Sequence, residues 1–246
     1  VKELNIIAQD TSRYGIDIYG EYKLAELVHR ITEETAIPWI RLLYCYPDKI
    51  TDELIAEIRD KPRVVKYIDL PIQHISDSVL SRMNRHGDRK MIENTIARLR
   101  EAIPDACIRT TVIVGFPGET EAQFEELMDF VKTARFERLG AFTYSPEEGT
   151  KAAKMPNQID EETKTRRLDQ LMMLQQAISM ELNEARIGEK CEVLVDGFDE
   201  EGRPYGRSLK EAPESDGVIW LESDRELAPG TYVQVEITGA DAYDLT

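Results

Sequence analysis

The 246-residue chain has little cysteine, little histidine and no long apolar run. Its three cysteines, Cys45, Cys107 and Cys191, lie 62 and 84 residues apart, so no two of them have the spacing of a local metal-binding or redox motif. We expect them to be reduced, structural thiols. Apolar runs such as 112–114 fall far short of the roughly 20 residues that cross a bilayer, and we expect no membrane partner.

The start of the chain carries no targeting pattern. It begins Val1-Lys2-Glu3, without an initiator Met and without the basic, apolar and small-residue regions of a signal peptide. We therefore expect a cytoplasmic protein, and we expect the sequence to be a piece of a longer chain.

Basic residues are also scarce. The chain has 31 Lys and Arg against 47 Asp and Glu, a net charge of −16. Residues 184–246 alone carry 16 acidic and 6 basic residues, and so hold most of this charge. Because negative charge repels phosphate backbones, a basic protein is the expected partner, and RNA is not expected as the direct ligand of this segment.

Short β-rich runs alternate with amphipathic helical stretches up to about residue 145, which is the pattern of βα units feeding a parallel sheet. Thr51 and the Thr120/Gln123 pair are expected helix caps, and 160–185 reads as one long helix. Five strands are predicted, at 3–8, 39–44, 66–70, 108–114 and 139–144.

After Gly188 the composition changes to short alternating runs at 191–195, 217–221 and 232–237, separated by Gly, Pro and Asp. These runs predict a small antiparallel β-barrel. The expected domains are therefore 1–185, an α/β unit, and 186–246.

In parallel βα architectures the functional site lies at the carboxyl ends of the strands. The residues that follow the five predicted strands are polar, aromatic and glycine-rich, and they occupy 9–11, 44–47, 71–74, 115–119 and 144–149. No Ser-His or Cys-His pair at motif spacing is present among them, so this rim is expected to position a separate reacting group.

Each rim feature also has a structural interpretation. The Gly115–Gly118 segment fits a plain strand-to-helix turn, and His74 fits a satisfied core histidine. Arg82, Arg85 and Arg89 fit a solvated helix end. Taken one at a time, these signals leave both interpretations open.

Taken in order, the segments resemble the radical S-adenosylmethionine methylthiotransferases. The strings that carry the resemblance are AQDTSRYGIDIYG (8–20), LLYCYPDKITDEL (42–54), YIDLPIQHISDSVLSRMNRHG (67–87), RTTVIVGFPGETEAQFEEL (109–127) and FTYSPEEGTKAAKMPNQI (142–159). PIQHISD and YSPEEGT resemble the RimO-type branch, which modifies a ribosomal protein, and GRSLKEAPESDGVIWL (206–221) resembles a TRAM domain.

The resemblance implies a partial, open TIM-like βα barrel of the radical SAM type that lacks its first βα unit, followed by a TRAM-like β-barrel. It implies a transferase that places a methylthio group on the β-carbon of an aspartate in the small-subunit ribosomal protein numbered twelve. S-adenosylmethionine and two 4Fe-4S clusters are implied for the parent protein. The cluster cysteines are expected upstream, so the chain as given is expected to hold no cluster and to be inactive alone.

The resemblance places S-adenosylmethionine on the rim. Gln9 and Gln73 are the expected polar contacts to its ribose or methionine part, and Arg85 is the candidate for its carboxylate. Gly115 and Phe116 are expected to let the adenine approach the backbone, and Tyr144 to close the far side. His74 and Glu147 are candidates for facing the substrate.

The acidic TRAM-like module is expected to dock the basic ribosomal protein. A tRNA-modifying methylthiotransferase (the MiaB type) is the alternative within the family. Outside the family, a non-catalytic protein-binding fragment remains open, as does a barrel enzyme that needs no cluster.

Overall fold

The computed structural model describes all 246 residues. The strands are β1 (Glu3–Ile6), β2 (Trp39–Leu42), β3 (Val64–Asp69), β4 (Cys107–Val114), β5 (Arg138–Thr143), β6 (Lys190–Phe198), β7 (Pro204–Arg207), β8 (Ile219–Trp220) and β9 (Tyr232–Glu236). The α-helices are α1 (Ile16–Tyr19), α2 (Leu24–Glu34), α3 (Asp52–Asp60), α4 (Asp77–Arg82), α5 (Arg89–Ala102), α6 (Glu121–Ala134) and α7 (Glu161–Glu184). Single 3-10 turns lie at Thr11–Arg13, Pro47–Lys49 and Ala152–Lys154.

The first domain is built on one parallel sheet in the order β1-β2-β3-β4-β5. All five predicted strands are present. The longest register joins β4 to β5, from Arg109 opposite Arg138 to Val114 opposite Thr143. Because every connection is a crossover and the sheet does not close, the predicted open, partial βα barrel is confirmed.

The helices cover one face of this sheet. Thr51 accepts a hydrogen bond from the Leu54 amide at the start of α3, and Thr120 with Gln123 forms the predicted capping box of α6. Apolar residues of the helices and of the sheet form one continuous core, in which Val28, Leu99 and Leu127 are fully buried. No helix is both long and apolar enough to cross a membrane.

Helix α7 packs across the edge of the sheet, against β5 and α6. Asp160 caps its first turn through the Thr163 amide, and Leu171 and Ile178 enter the core. Several polar side chains are buried on the same helix. Among them, Gln175 Nε2 donates to the Phe136 carbonyl oxygen at 2.9 Å, which ties α7 to the segment before β5.

The second domain is a four-stranded antiparallel sheet in the order β8-β7-β6-β9. Its own core contains Val193, Val195, Ile219 and Ile237. The predicted small antiparallel β domain is confirmed, although β7 was not predicted. That strand is only four residues long and begins with a proline, so its sequence shows no clear strand periodicity.

The two domains meet on the sheet face that the helices leave uncovered. Trp39, Tyr67 and Cys107 of the first domain pack with Leu194 and Ala212 of the second. Two groups of charged side chains surround this apolar contact.

In the first group, Glu3 accepts hydrogen bonds from Arg41 at 2.7 Å and from Arg207 at 2.9 Å. In the second, Glu211 accepts from Arg138 at 3.0 Å and from Arg186 at 2.5 Å. Burial by itself would raise the pKa of Glu211, but these two arginines, with Ser208, lower it to about 2. The carboxylate therefore stays charged inside the interface.

Candidate functional site

A pocket of about 550 Å³ opens where β1, β2 and β3 end, beside Thr111 of β4. It is lined by Ile7, Ala8, Gln9, Tyr44, Tyr46, Pro71, Gln73 and Thr111. Most of these residues follow parallel strands, whose carboxyl ends share one edge of the sheet. The structure therefore brings Gln9 and Gln73 together at the predicted edge, and adds two tyrosines to them.

Two non-glycine residues of the pocket have left-handed backbone conformations, Tyr44 with φ +56° and Gln73 with φ +68°. Gln73 is held by hydrogen bonds of its backbone to Thr111 and Ile113 of β4, at 2.9 and 2.8 Å. The Tyr44 amide donates to Asp69 Oδ2 at 2.9 Å. Backbone of this kind concentrates at binding sites, because the surrounding structure must hold it in place.

Gln73 also carries a buried side-chain oxygen, Oε1, that has no hydrogen-bond partner. Buried polar atoms are nearly always paired, so Oε1 leaves an unused acceptor beside this pocket. The two tyrosine rings add aromatic surface, to which a ligand cation is attracted.

Arg85 lies behind the wall of the pocket. Its guanidinium is 4.2 Å from the centre of the Tyr46 ring, and its Nη2 donates to the Pro71 carbonyl oxygen at 2.8 Å. Both contacts are with lining residues, so Arg85 supports the pocket without lining it.

Gly115, Phe116 and Tyr144 lie outside this pocket. Phe116 and Tyr144 are buried and meet edge to face, with ring centres 5.1 Å apart. Gly115 has φ +74°, and a Cβ there would run into the side chain of Lys164 on α7. In this structure the three residues form a closed cluster beneath α7.

Glu119 organises the turn that contains Gly115 and Phe116. Its Oε2 accepts from the Gly115 amide at 2.7 Å and from the Phe116 amide at 3.3 Å, and its Oε1 pairs with Arg167 at 2.9 Å. Burial raises the pKa of Glu119, and the arginine and the two amides oppose that effect. Sequence reasoning placed Glu119 on the rim but gave it no role, because its partner Arg167 lies 48 positions away.

His74 and Glu147 differ in accessibility, and neither lines the pocket. His74 has no exposed surface, its Nδ1 accepts from the Ser76 amide at 3.0 Å, and its Nε2 lies 3.8 Å from Glu119 Oε2. Burial lowers the pKa of His74 to about 4, and the charges of Arg82 and Arg167 add to this effect. Glu147 is exposed in the loop after β5.

The cysteines do not fit an iron-sulfur cluster. Cys45 and Cys107 are buried at different places and Cys191 is half-buried, and burial raises the pKa of all three thiols. No group of three or more His, Cys, Asp or Glu side chains could hold a metal ion. The three thiols therefore do not form a set of cluster ligands.

Residues 9–131 match the family model of the radical SAM superfamily. The chain belongs to this superfamily. Residues 187–246 match the model of the TRAM domain. The radical SAM family implies use of S-adenosylmethionine and of a 4Fe-4S cluster.

Two relatives with at least 50% sequence identity support the resemblance to the RimO type. A protein of Caldanaerobacter subterraneus subsp. tengcongensis named ribosomal protein uS12 methylthiotransferase RimO is 53% identical over all of this chain and 56% of its own length. One of the same name from Carboxydothermus hydrogenoformans is 50% identical, again over 100% of this chain and 56% of its own. The resemblance to the RimO type is thus confirmed, and the chain spans about half the length of these relatives.

A solved structure supports the fold alone. Coproporphyrinogen III oxidase (HemN) from Escherichia coli, described as a radical SAM enzyme, aligns with a TM-score of 0.51 and 19% sequence identity. The alignment covers 64% of this chain and 37% of HemN.

The burial of His74 predicts a pH-dependent stability. Between pH 6.5 and pH 4 the unfolded chain binds a proton that folded His74 does not, so the free energy of unfolding falls as the pH is lowered through this range. The full loss is about 3 kcal/mol. Urea unfolding of the 246-residue chain across this range measures it.

His74→Asn keeps an acceptor near the Ser76 amide and removes the titration, so it should flatten this part of the profile. His86→Asn, at an exposed histidine, is the matched control and should keep the wild-type slope. An unchanged slope in His74→Asn would contradict the assignment.

Proposed function

We propose that this chain is the cofactor- and substrate-binding part of an enzyme that methylthiolates an aspartate of ribosomal protein uS12. The observation that carries the proposal is identity of about 50% along the entire chain to relatives named for this activity. Since the substrate is a ribosomal protein, the place of action would be the cytoplasm.

We place S-adenosylmethionine in the pocket at the ends of β1 to β3, beside β4. S-adenosylmethionine would supply the radical-generating adenosyl group and the methyl group. A volume of about 550 Å³ is within the range of small-molecule sites. Gln9 and Gln73 would bind the ribose or the amino-acid part, and the exposed ring of Tyr44 would face the sulfonium cation.

The other predicted site residues do not line the pocket. Arg85 holds Pro71 and Tyr46, which line the pocket, and its role at the ligand carboxylate stays a prediction. Roles for Gly115, Phe116 and Tyr144 at the adenine stay predictions, as do roles for His74 and Glu147 near the substrate. The two clusters would be held by cysteines that are not among these 246 residues.

The second domain supplies the docking surface in this proposal. Nine acidic residues between 187 and 246 are exposed, against three exposed basic residues, Lys190, Arg203 and Arg225. The other basic residues of this range, Arg207 and Lys210, are engaged with Glu3, Asp196 and Glu189. The outer surface is therefore strongly negative, which suits a basic protein and disfavours RNA.

The proposed reaction is tested with the complete protein, reconstituted with iron and sulfide and supplied with S-adenosylmethionine, a reductant and either uS12 or tRNA. Mass spectrometry should find one methylthio group on an aspartate of uS12 and none on tRNA. Modification of tRNA instead would establish the alternative within the family. Modification of neither would leave the protein-binding alternative and would refute the proposed reaction.

The cofactor pocket is tested by calorimetric titration of the complete protein with S-adenosylhomocysteine. Gln73→Asn shortens the amide while keeping a residue that tolerates positive φ, and it should raise Kd by about three- to tenfold, as should Arg85→Ala. Gln176→Asn, at an exposed position of α7, is the matched control and should change nothing. Unchanged affinity in both pocket variants would remove the assignment.

The docking surface is tested by neutralising three exposed acids of the second domain, Glu222→Gln, Asp224→Asn and Glu226→Gln. The KM for uS12 should rise about three- to tenfold at low salt with little change in kcat, and the difference should shrink as salt screens the charges. Glu101→Gln, Glu125→Gln and Glu162→Gln, at exposed positions of the first domain, form the matched control. Equal effects of the two triple variants would argue against docking on the second domain.

A further inference from the structure

One face of β4 leads from the second domain to the pocket. Alternate residues of a strand share a face, so Cys107, Arg109 and Thr111 lie along one line. Cys107 Sγ is 3.4 Å from the Lys210 carbonyl oxygen of the second domain, whereas Thr111 lines the pocket. Arg109 is the residue between them.

Arg109 connects two buried carboxylates. Its Nη1 donates to Asp69 Oδ1 at 2.9 Å, and its Nε lies 3.8 Å from Asp216 Oδ1 of the second domain. The side chains of Asp69 and Asp216 are 1% and 3% exposed. Burial by itself would lower the pKa of Arg109, but Asp69, Tyr67 and Asp216 raise it, so the guanidinium stays charged.

Asp69 connects Arg109 to the backbone of the pocket. Asp69 ends β3 and lies opposite Arg109 in the sheet register. While its Oδ1 holds Arg109, its Oδ2 accepts from the amide of Tyr44, whose φ is +56°. Asp69 thus connects Arg109 to the left-handed backbone of Tyr44 in the pocket wall.

Two hydrogen bonds hold the Asp216 carboxylate in place. Its Oδ2 accepts from the Tyr67 hydroxyl at 2.6 Å and from the Ala212 amide at 2.8 Å. Its Oδ1 lies near Arg109 Nε, at 3.8 Å, whereas Asp69 Oδ1 accepts from Nη1 of the same guanidinium. Removal of the Asp216 charge would leave Arg109 balanced by Asp69 alone and free to reorient, and Asp69 would lose the geometry that holds the Tyr44 amide.

We propose that Asp216 of the second domain is a positioning residue for the pocket, and that it acts through Arg109 and Asp69 on the backbone of Tyr44. We call the side chains of Asp216, Arg109 and Asp69 the carboxylate relay. The relay gives the second domain a role in shaping the pocket, in addition to substrate docking. The part of the inference that concerns ligand affinity rests on the proposed function; the part that concerns Tyr44 does not.

The test measures hydrogen exchange of the Tyr44 amide in the complete protein, by mass spectrometry on the peptide that contains it. Asp216→Asn should make this exchange about three- to tenfold faster under conditions where the protein stays folded. The same variant should weaken binding of S-adenosylhomocysteine by a similar factor.

Two controls separate positioning from simple adhesion of the domains. Arg207→Gln breaks an ion pair between the domains, with Glu3, that lies outside the relay, and Asp224→Asn removes an exposed charge of the second domain. Both should leave Tyr44 exchange at the wild-type rate. Equal acceleration in Arg207→Gln would show general loosening of the interface and would overturn the proposal.

If Asp216→Asn does not fold, Arg109→Lys provides the second variant, because it keeps the charge and loses the fork that reaches both carboxylates. It should also accelerate Tyr44 exchange. Unchanged exchange in the folded variant would refute the relay. Faster exchange with unchanged affinity for S-adenosylhomocysteine would support the relay and refute the placement of the cofactor in this pocket.

Discussion

A parallel sheet must be covered on both faces, and in this chain the two faces are covered by different domains. Helices from the βα crossovers bury one face in a continuous core. On the other face, Trp39, Tyr67 and Cys107 pack under the second domain, while Gln9, Gln73 and Thr111 line an open pocket. The second domain therefore covers the sheet beside the pocket, although none of its residues lines it.

The charged groups of this interface have a consequence for the outer surface. Glu3 and Glu211 each hold two arginines. Loss of Glu3 would leave Arg41, and loss of Glu211 would leave Arg138, without a carboxylate partner, at a cost of about 3–5 kcal/mol. Because Arg186 and Arg207 are engaged inward, they do not offset the acids that face solvent. The same ion pairs that orient the second domain leave its surface negative, and so suited to a basic protein.

Much of the fold could be predicted from the sequence, because strand and helix periodicity and capping are local. The five strands of the first domain, the Thr120/Gln123 cap and the change to β structure after Gly188 all have short-range signals. The site was predicted less completely. Strand ends located Gln9 and Gln73 correctly at one edge, but the burial of His74 depends on packing that no local pattern reports.

The residues that the sequence did not reveal share one property, which is that their partners are distant in the chain. Glu119 meets Arg167, Asp69 meets Arg109, and Asp216 meets Arg109 from the second domain. A single carboxylate among 47 acidic residues carries no mark of such a pairing in the sequence. These contacts form only in the folded chain, so no local sequence pattern predicts them.

The left-handed conformations of Tyr44 and Gln73 show how the pocket is prepared for a ligand. Each costs about 1–3 kcal/mol and persists only because neighbouring structure enforces it. Gln73 is enforced from within the sheet, by two backbone bonds to β4. Tyr44 is enforced by Asp69, whose partner Arg109 also faces Asp216. One wall of the pocket therefore depends on the sheet alone, whereas the other depends also on how the second domain is seated.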